Sequence, residues 1–137
     1  MTKVLVVDDE AYLREDLRRT AERAGADVTE ADDRDTALAL IDKDDFDLVI
    51  TDLIMGRYDE EQGLDVLRAA KKKDPLTQVI VVTQHPTAER GVNAMLQGAF
   101  DYIERNVPGV DDLKLLASKV GLALKYRQAK QKEGFGD

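Results

Sequence analysis

Short apolar runs alternate along the chain with segments of helical spacing. The runs are rich in β-branched residues, as buried strands are, and they cover residues 4–7, 27–30, 48–51, 79–83 and 100–103. Apolar residues three and four positions apart then predict helices over residues 11–24, 36–43, 64–73 and 87–97. Strands that alternate with helices of this length indicate βαβ units. We therefore predict one doubly wound α/β domain, a mostly parallel sheet with helices on both faces.

The last segment predicts one long helix from Asp111 to Lys132, because Gly121 is its only glycine or proline. One apolar stripe should dock on the sheet, and it consists of Leu113, Leu116, Ala117, Val120 and Leu124. A second stripe on another side consists of Leu115, Leu122 and Tyr126. A helix needs only one such stripe to pack in a monomer. The second stripe therefore indicates either deeper burial or a surface for a dimer or another partner.

Length and charge narrow the classes of function. The 137 residues suit one domain, and a hydrophobic content of 43% excludes disorder as the default. The balance of 20 basic against 28 acidic residues gives a net charge of −8, which argues against direct nucleic-acid binding. Without cysteine, disulfides and thiolate chemistry are excluded. The first apolar run is too short for a signal peptide or a membrane span, and we expect a cytoplasmic protein.

Polar side chains follow four of the predicted strands. Asp8 and Asp9 come after the first strand, and Asp52 follows the third. If those strands are parallel neighbours, the three acids converge on one rim, where ligands of open α/β sheets bind. Carboxylates hold Mg²⁺, and one of them can form an aspartyl phosphate. Thr83 and Arg105 follow the fourth and fifth strands and add a hydroxyl and a cation for phosphoryl oxygens.

Each of these residues also has an ordinary structural interpretation. Asp8 or Asp9 can cap the helix that follows, since aspartate is favoured there. Asp52 can be a loop acid, and Thr83 can be a cap or a strand-end residue. Their joint placement at one rim favours a functional site.

Several ordered motifs resemble the receiver domain of two-component response regulators, over roughly residues 3–125. The matching segments are Val4-Leu5-Val6-Val7-Asp8-Asp9-Glu10, Thr51-Asp52-Leu53-Ile54-Met55, Gly63-Leu64-Asp65-Val66-Leu67, Val81-Val82-Thr83 and Gly98-Ala99-Phe100-Asp101-Tyr102-Ile103. The resemblance implies a flavodoxin-like (βα)5 fold, a parallel five-stranded sheet with strand order 2-1-3-4-5.

The resemblance also implies a role for each matching residue. Asp52 corresponds to the phosphoacceptor, Asp9 to the direct Mg²⁺ ligand, and Asp8 to a partner that acts mainly through water. The backbone carbonyl of Ile54 corresponds to a further Mg²⁺ ligand. Thr83 corresponds to the hydroxyl that reorients toward the phosphoryl group.

The implied function is that of a phosphorylation-activated signalling switch. A histidine kinase or phosphotransfer protein would donate the phosphoryl group, and the domain would catalyse its own phosphorylation and slow dephosphorylation. Tyr102 corresponds to the aromatic residue that changes rotamer. The surface of the fourth helix, fifth strand and fifth helix would then change, and a homodimer or an output domain would use it.

The chain departs from the family pattern at three places. The usual Lys-Pro pair after the fifth strand is replaced by Arg105 and Asn106. Arginine is not equivalent to a compact ammonium, so we expect it either to overshoot the phosphoryl oxygens or to pair with Glu104. The loop at residues 56–62 is longer than usual, lacks a proline and adds acids. It is either a solvated surface insertion or a loop that alters kinase docking or phosphate access. His85, two positions after the threonine, is either a plain loop residue or a contact for an attacking water or a partner.

Other functions remain to be compared with a switch. A receiver-like interaction module that needs no phosphorylation is the main alternative, and the departures from the pattern motivate it. FMN binding would need a phosphate-cradling loop where this chain has Asp8 and Asp9, and a haloacid-dehalogenase-type phosphatase would need an acid at Ile54.

We expect residues 1–125 to form the receiver domain and residues 126–137 a helical extension and tail, which either ends the protein or links to an output domain.

Overall fold

The chain alternates strands and helices throughout residues 1–56 and 60–134, the part that the computed structural model describes. The strands are β1 (Lys3–Val7), β2 (Asp27–Ala31), β3 (Leu48–Asp52), β4 (Gln78–Thr83) and β5 (Asp101–Glu104). The helices are α1 (Ala11–Arg23), α2 (Arg34–Lys43), α3 (Gln62–Lys73), α4 (Ala88–Leu96) and α5 (Asp112–Lys132). Every predicted element is present, with bounds that differ by one or two residues.

The five strands form one parallel sheet in the order β2-β1-β3-β4-β5, which confirms the predicted fold and strand order. All side chains of β4 and the first four of β3 are buried, as expected of strands that are covered on both faces. Consecutive side chains of a strand point to opposite faces of the sheet, so the sheet separates two apolar cores. α1 and α5 pack on one face, and α2, α3 and α4 on the other.

Helix α4 buries less apolar surface than its spacing indicates. Its large apolar residues Val92, Met95 and Leu96 are 59%, 47% and 81% exposed, and only Ala94 is buried. The reason is that α4 lies beside β5, the last strand of the sheet, where no further element of the described ranges covers its outer side.

Fewer residues of helix α5 are buried than the predicted apolar stripe contains. Leu116, Val120 and Ala123 are buried, at positions i, i+4 and i+7, whereas Ala117 is exposed. The second stripe is exposed as well, with Leu115 39%, Leu122 50% and Tyr126 46% exposed. The alternative that explained this stripe by deeper burial is therefore wrong.

The end of α5 is attached to the body of the domain by Arg127. Its Nε lies 2.9 Å from Asp47 Oδ1, and its Nη1 lies 3.0 Å from Asp74 Oδ2. Asp47 precedes β3 and Asp74 follows α3, so the contact lies at the amino-terminal edge of the sheet. Across the described ranges, no helix has both the length and the apolar character needed to span a bilayer.

Candidate functional site

Three acids meet at the carboxyl edge of the sheet. Val7 of β1 lies opposite Thr51 of β3, so the residues that follow them, Asp8 and Asp52, emerge side by side. Carboxylate oxygens of Asp8, Asp9 and Asp52 all lie within 4.8 Å of one another. We call these three residues the acidic rim.

The acids of this rim differ in their contact with solvent. Asp8 is 1% exposed, Asp52 is half-buried and Asp9 is exposed. Burial, together with the neighbouring Asp8 carboxylate, raises the pKa of Asp52 to about 7. Burial also raises the pKa of Asp8 to about 6, although a backbone hydrogen bond from Glu10 opposes the shift. Clustered carboxylates therefore resist ionisation together unless a cation joins them.

Backbone groups hold the two inner carboxylates in place. The N–H of Glu10 donates to Asp8 Oδ1 at 2.9 Å, and the N–H of Ile54 donates to Asp52 Oδ1 at 3.3 Å. The N–H of Gly63, near the start of α3, donates to the carbonyl of Leu53 at 2.9 Å. These hydrogen bonds hold the loop that follows β3 in place beside Asp52.

The acidic rim has the chemistry of a divalent-cation site. Carboxylates are the hard oxygen ligands that Mg²⁺ and Ca²⁺ prefer, and a cation between them would offset the repulsion that raises their pKa values. Asp9 is exposed, so the site is open to solvent, which suits an ion that keeps several waters.

Thr83 ends β4 on the same edge of the sheet. Asp52 lies opposite Val82 in the pairing of β3 with β4, so Thr83 is one residue further along. Its side chain is buried, and its Oγ1 accepts a hydrogen bond from the N–H of His85 at 3.0 Å. The Thr83 hydroxyl can still donate its own proton to a phosphoryl oxygen. His85 is itself exposed and uses its backbone for this contact.

Tyr102 lies on β5 with its ring against α4. A Cβ at Gly91 would lie 3.2 Å from two ring carbons, so the glycine lets the ring pack closely on the helix. The hydroxyl is buried, and burial raises its pKa, an effect that the nearby backbone of Thr87 only partly offsets.

Arg105 forms ion pairs with two acids that its sequence neighbourhood did not indicate. Its Nε lies 3.0 Å from Asp112 Oδ2, and its Nη2 lies 3.6 Å from Asp16 Oδ2. The alternative that paired Arg105 with Glu104 is wrong, because adjacent residues leaving a strand point in opposite directions and Glu104 faces solvent. Arg105 also lies near enough to Asp8 to oppose the rise of its pKa.

The end of the long loop before α3 contacts α4. Glu61 forms an ion pair with Arg90 at 3.4 Å, and Arg90 also donates to the carbonyl of His85. The loop thus touches the segment that follows Thr83. The prediction for this loop rests partly on residues 57–59, which lie outside the described residues.

Sequence reasoning missed three residues that shape the site. Asp16 and Asp112 hold Arg105, but one lies far from it in sequence and the other reads as an ordinary first-turn acid of α5. Gly63 was recognised only as part of a motif. Gly63 lets α3 lie close to the backbone of Asp52 and Leu53. This distance between two elements cannot be derived from a local sequence pattern.

The sequence matches one protein family along most of its length. The model of the response regulator receiver domain family matches residues 4–119. The alginate biosynthesis transcriptional regulatory protein AlgB of Pseudomonas aeruginosa is 36% identical over 117 residues, which are 85% of this chain and 25% of that protein. The response regulator protein PilR of the same species is 32% identical, over 96% of this chain and 28% of its own length. The chain thus spans about a quarter of the length of these curated relatives.

A solved structure that contains a phosphorylated residue also has a similar fold. It is a response regulator protein from Burkholderia pseudomallei with a phosphorylated aspartic acid, a calcium ion and citrate. It superimposes with a TM-score of 0.69 at 26% identity, covering 89% of this chain and 72% of that one.

Proposed function

Because the chain belongs to the response regulator receiver domain family, we propose that Asp52 accepts a phosphoryl group in Mg²⁺-dependent two-component signalling. The observation that carries the proposal is the acidic rim, in which Asp52 lies beside Asp8 and Asp9 at the carboxyl edge of the sheet. Receiver domains of response regulators are phosphorylation-activated switches.

In the proposed reaction, one carboxylate oxygen of Asp52 attacks the phosphorus atom of a phosphohistidine. The P–O bond to Asp52 forms as the P–N bond breaks, and the imidazole leaves with the bonding electron pair. The donor would be a sensor histidine kinase or a phosphotransfer protein. Hydrolysis of the aspartyl phosphate by water would return the domain to its resting state, so the chain acts on itself rather than as an enzyme on other substrates.

The Mg²⁺ ligands in this proposal are Asp8, Asp9, Asp52 and the backbone carbonyl of Ile54. Bound Mg²⁺ would neutralise charge on the carboxylates and on the phosphoryl oxygens. The phosphorylated aspartic acid and calcium ion of the Burkholderia pseudomallei relative support the pairing of an aspartyl phosphate with a divalent cation in this family.

Two further residues would bind the phosphoryl oxygens. Thr83 would donate its hydroxyl proton, and Arg105 would supply the cation that lysine supplies in other receivers. When Thr83 turns toward the phosphoryl group, His85 would lose its acceptor. Tyr102 would follow as the switch residue, and the surface of α4, β5 and α5 would change for a homodimer or an output domain.

The proposal extends to the organisation and location of the protein. Residues 1–125 would form the receiver domain, and residues 126–137 a helical extension and tail. Direct nucleic-acid or membrane contacts are not part of the proposed function of this domain. We place it in the cytoplasm, where a phosphohistidine donor formed with ATP would be available.

A small phosphodonor tests the proposal directly. Acetyl phosphate with Mg²⁺ should add one phosphoryl mass to the intact protein, and Asp52→Asn should abolish the gain. Asp42→Asn, which removes an exposed acid outside the acidic rim, should label normally. Absence of labelling in the folded wild-type protein would refute the assignment of Asp52.

An interaction module that needs no phosphorylation is the second candidate. The ion pairs of Arg105 with Asp16 and Asp112 favour it, because they engage two of the three guanidinium nitrogens and offset the positive charge that the phosphoryl group would use. This function predicts that Asp52→Asn leaves partner binding unchanged. Retention of three mutually repelling carboxylates at one rim argues for the phosphorylated switch instead.

A further inference from the structure

The Arg105 side chain is enclosed between two helices. It is 7% exposed, and it contacts Asp112 in the first turn of α5 and Asp16 on α1. The two contacts differ in closeness, 3.0 Å to Asp112 and 3.6 Å to Asp16. Asp112 therefore forms the stronger of the two ion pairs with Arg105. Burial raises the pKa of Asp112, but the hydrogen bond and charge of Arg105, together with backbone hydrogen bonds from Asn106 and from Asp112 itself, keep it below its ordinary value.

The two acids occupy only one edge of the guanidinium. Nε and Nη2 lie on that edge, and Nη1 lies on the other side of the planar group. Nη1 is buried and makes no hydrogen bond to any residue in the described ranges. A buried donor without an acceptor is costly, so an oxygen that reached Nη1 would bind favourably. The Arg105 charge also acts on Asp8 of the acidic rim, where it opposes the rise in pKa that burial causes.

We propose that Asp112 and Asp16 are positioning residues for phosphoryl transfer, which hold Arg105 so that Nη1 stays free for an oxygen of the phosphoryl group. This inference rests on the proposed phosphorylation of Asp52 and explains how arginine serves where lysine is usual. A lysine reaches the phosphoryl group alone, as a flexible point charge. Arginine carries a rigid fork, and two of its three nitrogens can be anchored while the third binds.

A purely structural role of Asp112 predicts something different. An acid in the first turn stabilises a helix through the helix dipole, whichever cation stands at position 105. The N-cap of α5 is already made by Asp111, whose side chain accepts from the N–H of Lys114. The positioning role and the structural role can be distinguished by replacing Asp112 both in protein that has Arg105 and in protein that has lysine at position 105.

The experiment is a double-variant cycle of Asp112→Asn and Arg105→Lys. The initial rate of labelling by acetyl phosphate with Mg²⁺ is measured by intact mass for the wild type, each single variant and the double variant. We expect Asp112→Asn to slow labelling about 5- to 10-fold with Arg105 present, the loss of one charge-assisted hydrogen bond. With lysine at position 105 the same change should alter the rate less than about twofold, because the ammonium does not depend on Asp112.

Two results would overturn the inference. Equal slowing in both backgrounds would assign Asp112 to helix stability, and unchanged or faster labelling of Asp112→Asn would mean that Asp112 restrains Arg105 instead of positioning it. If the wild-type protein fails to label, the proposed phosphorylation of Asp52 is refuted too. That outcome differs from the two above, in which the wild type labels normally. Asp35→Asn is the matched control, since Asp35 is a first-turn acid of α2 that pairs with Arg34. It should leave the rate unchanged.

Asp16→Asn is a second variant that does not depend on the stability of α5. Asp16 is 39% exposed in its side chain and its contact is longer, so we expect slowing of only about twofold. The effect should vanish with lysine at position 105. Persistence of the effect in that background would count against Asp16 as a positioning residue.

Discussion

A Cβ atom at Gly63 would lie 2.2 Å from the backbone carbonyl oxygen of Asp52 and 2.7 Å from the Cα of Leu53. Both contacts are to backbone, which cannot swing aside as a side-chain tip can. We expect Gly63→Ala to lower the free energy of unfolding by about 2–3 kcal/mol, as measured by urea denaturation. The displaced loop should also slow labelling of Asp52 by acetyl phosphate.

Gly121 provides the matched control for this substitution. It lies within α5, and a Cβ built there meets nothing within 4 Å. Gly121→Ala should therefore raise the free energy of unfolding by about 0.5–1 kcal/mol. A similar loss in both variants would show that the close approach to Asp52 is not the cause.

The raised pKa values of the acidic rim predict a fall in stability as the pH rises. Asp8 and Asp52 have folded-state pKa values of about 6 and about 7, above the ordinary 3.8. The folded state therefore holds protons that the unfolded state releases between about pH 4 and pH 7, and rising pH favours unfolding in that window. We expect a loss on the order of 2 kcal/mol between pH 5 and pH 8 in metal-free buffer, measured by urea denaturation with chelator present.

Asp52→Asn should make this pH dependence shallower, since it removes one titrating group and lowers the repulsion on the other. Carboxyls with lowered pKa, such as Asp33 and Asp74, lose their stabilising contribution only as the pH falls below the ordinary value. They leave the window from pH 5 to pH 8 unaffected. An equally steep decline in Asp52→Asn would contradict the assignment of the titration to the acidic rim.

The sequence predicted the sheet well because buried parallel strands leave a continuous apolar signal. It also predicted which acids converge, because strand ends and a parallel order suffice to place Asp8, Asp9 and Asp52 together. It did not predict that Val92, Met95 and Leu96 would be exposed, since helical spacing identifies a face but not whether another element covers it.

The partners of Arg105 show a second limit of sequence reasoning. The sequence offered Glu104 as one of two alternatives, whereas the guanidinium reaches acids on two helices that only the folded chain brings together. Side-chain pairing across elements depends on tertiary distances. Local pattern carries no information about them.

A divalent cation should stabilise the folded domain. Mg²⁺ that binds the acidic rim of the folded state shifts unfolding by mass action, about 1.4 kcal/mol at a tenfold excess over the dissociation constant. For a domain of this size that corresponds to a rise in melting temperature of about 5 °C. Differential scanning fluorimetry across millimolar Mg²⁺ measures it. The rise should weaken in Asp9→Asn and persist in Asp42→Asn, and a flat response of the wild type would exclude the site.

Asn106 has a backbone conformation that explains the loss of the usual proline. Its φ is +62°, in the left-handed region, whereas proline is fixed near −65°. Asn106→Pro should therefore lower the free energy of unfolding by about 2–3 kcal/mol. Asn106→Gly, which tolerates positive φ, should change it by less than about 0.5 kcal/mol. Equal effects of the two substitutions in urea denaturation would contradict this explanation.

Arg127 makes a testable link between the end of α5 and the body of the domain. Its side chain is 11% exposed between Asp47 and Asp74, and its charge and hydrogen bond, with a backbone hydrogen bond from Leu76, keep the pKa of Asp74 low despite burial. Arg127→Gln leaves both acids without this cation, and we expect a loss of about 1–2 kcal/mol in urea denaturation. Lys125→Gln, at an exposed position two residues earlier, should have little effect.

The same contact bears on the boundary proposed between residues 125 and 126. A chain shortened after residue 128 keeps Arg127, whereas one shortened after residue 125 loses it. If the contact belongs to the folded domain, the shorter chain should be less stable by at least the amount lost in Arg127→Gln, and the longer one should match the full chain. Equal stability of the two shortened chains would instead support a domain that ends at residue 125, because Arg127 would then contribute nothing that the first 125 residues need.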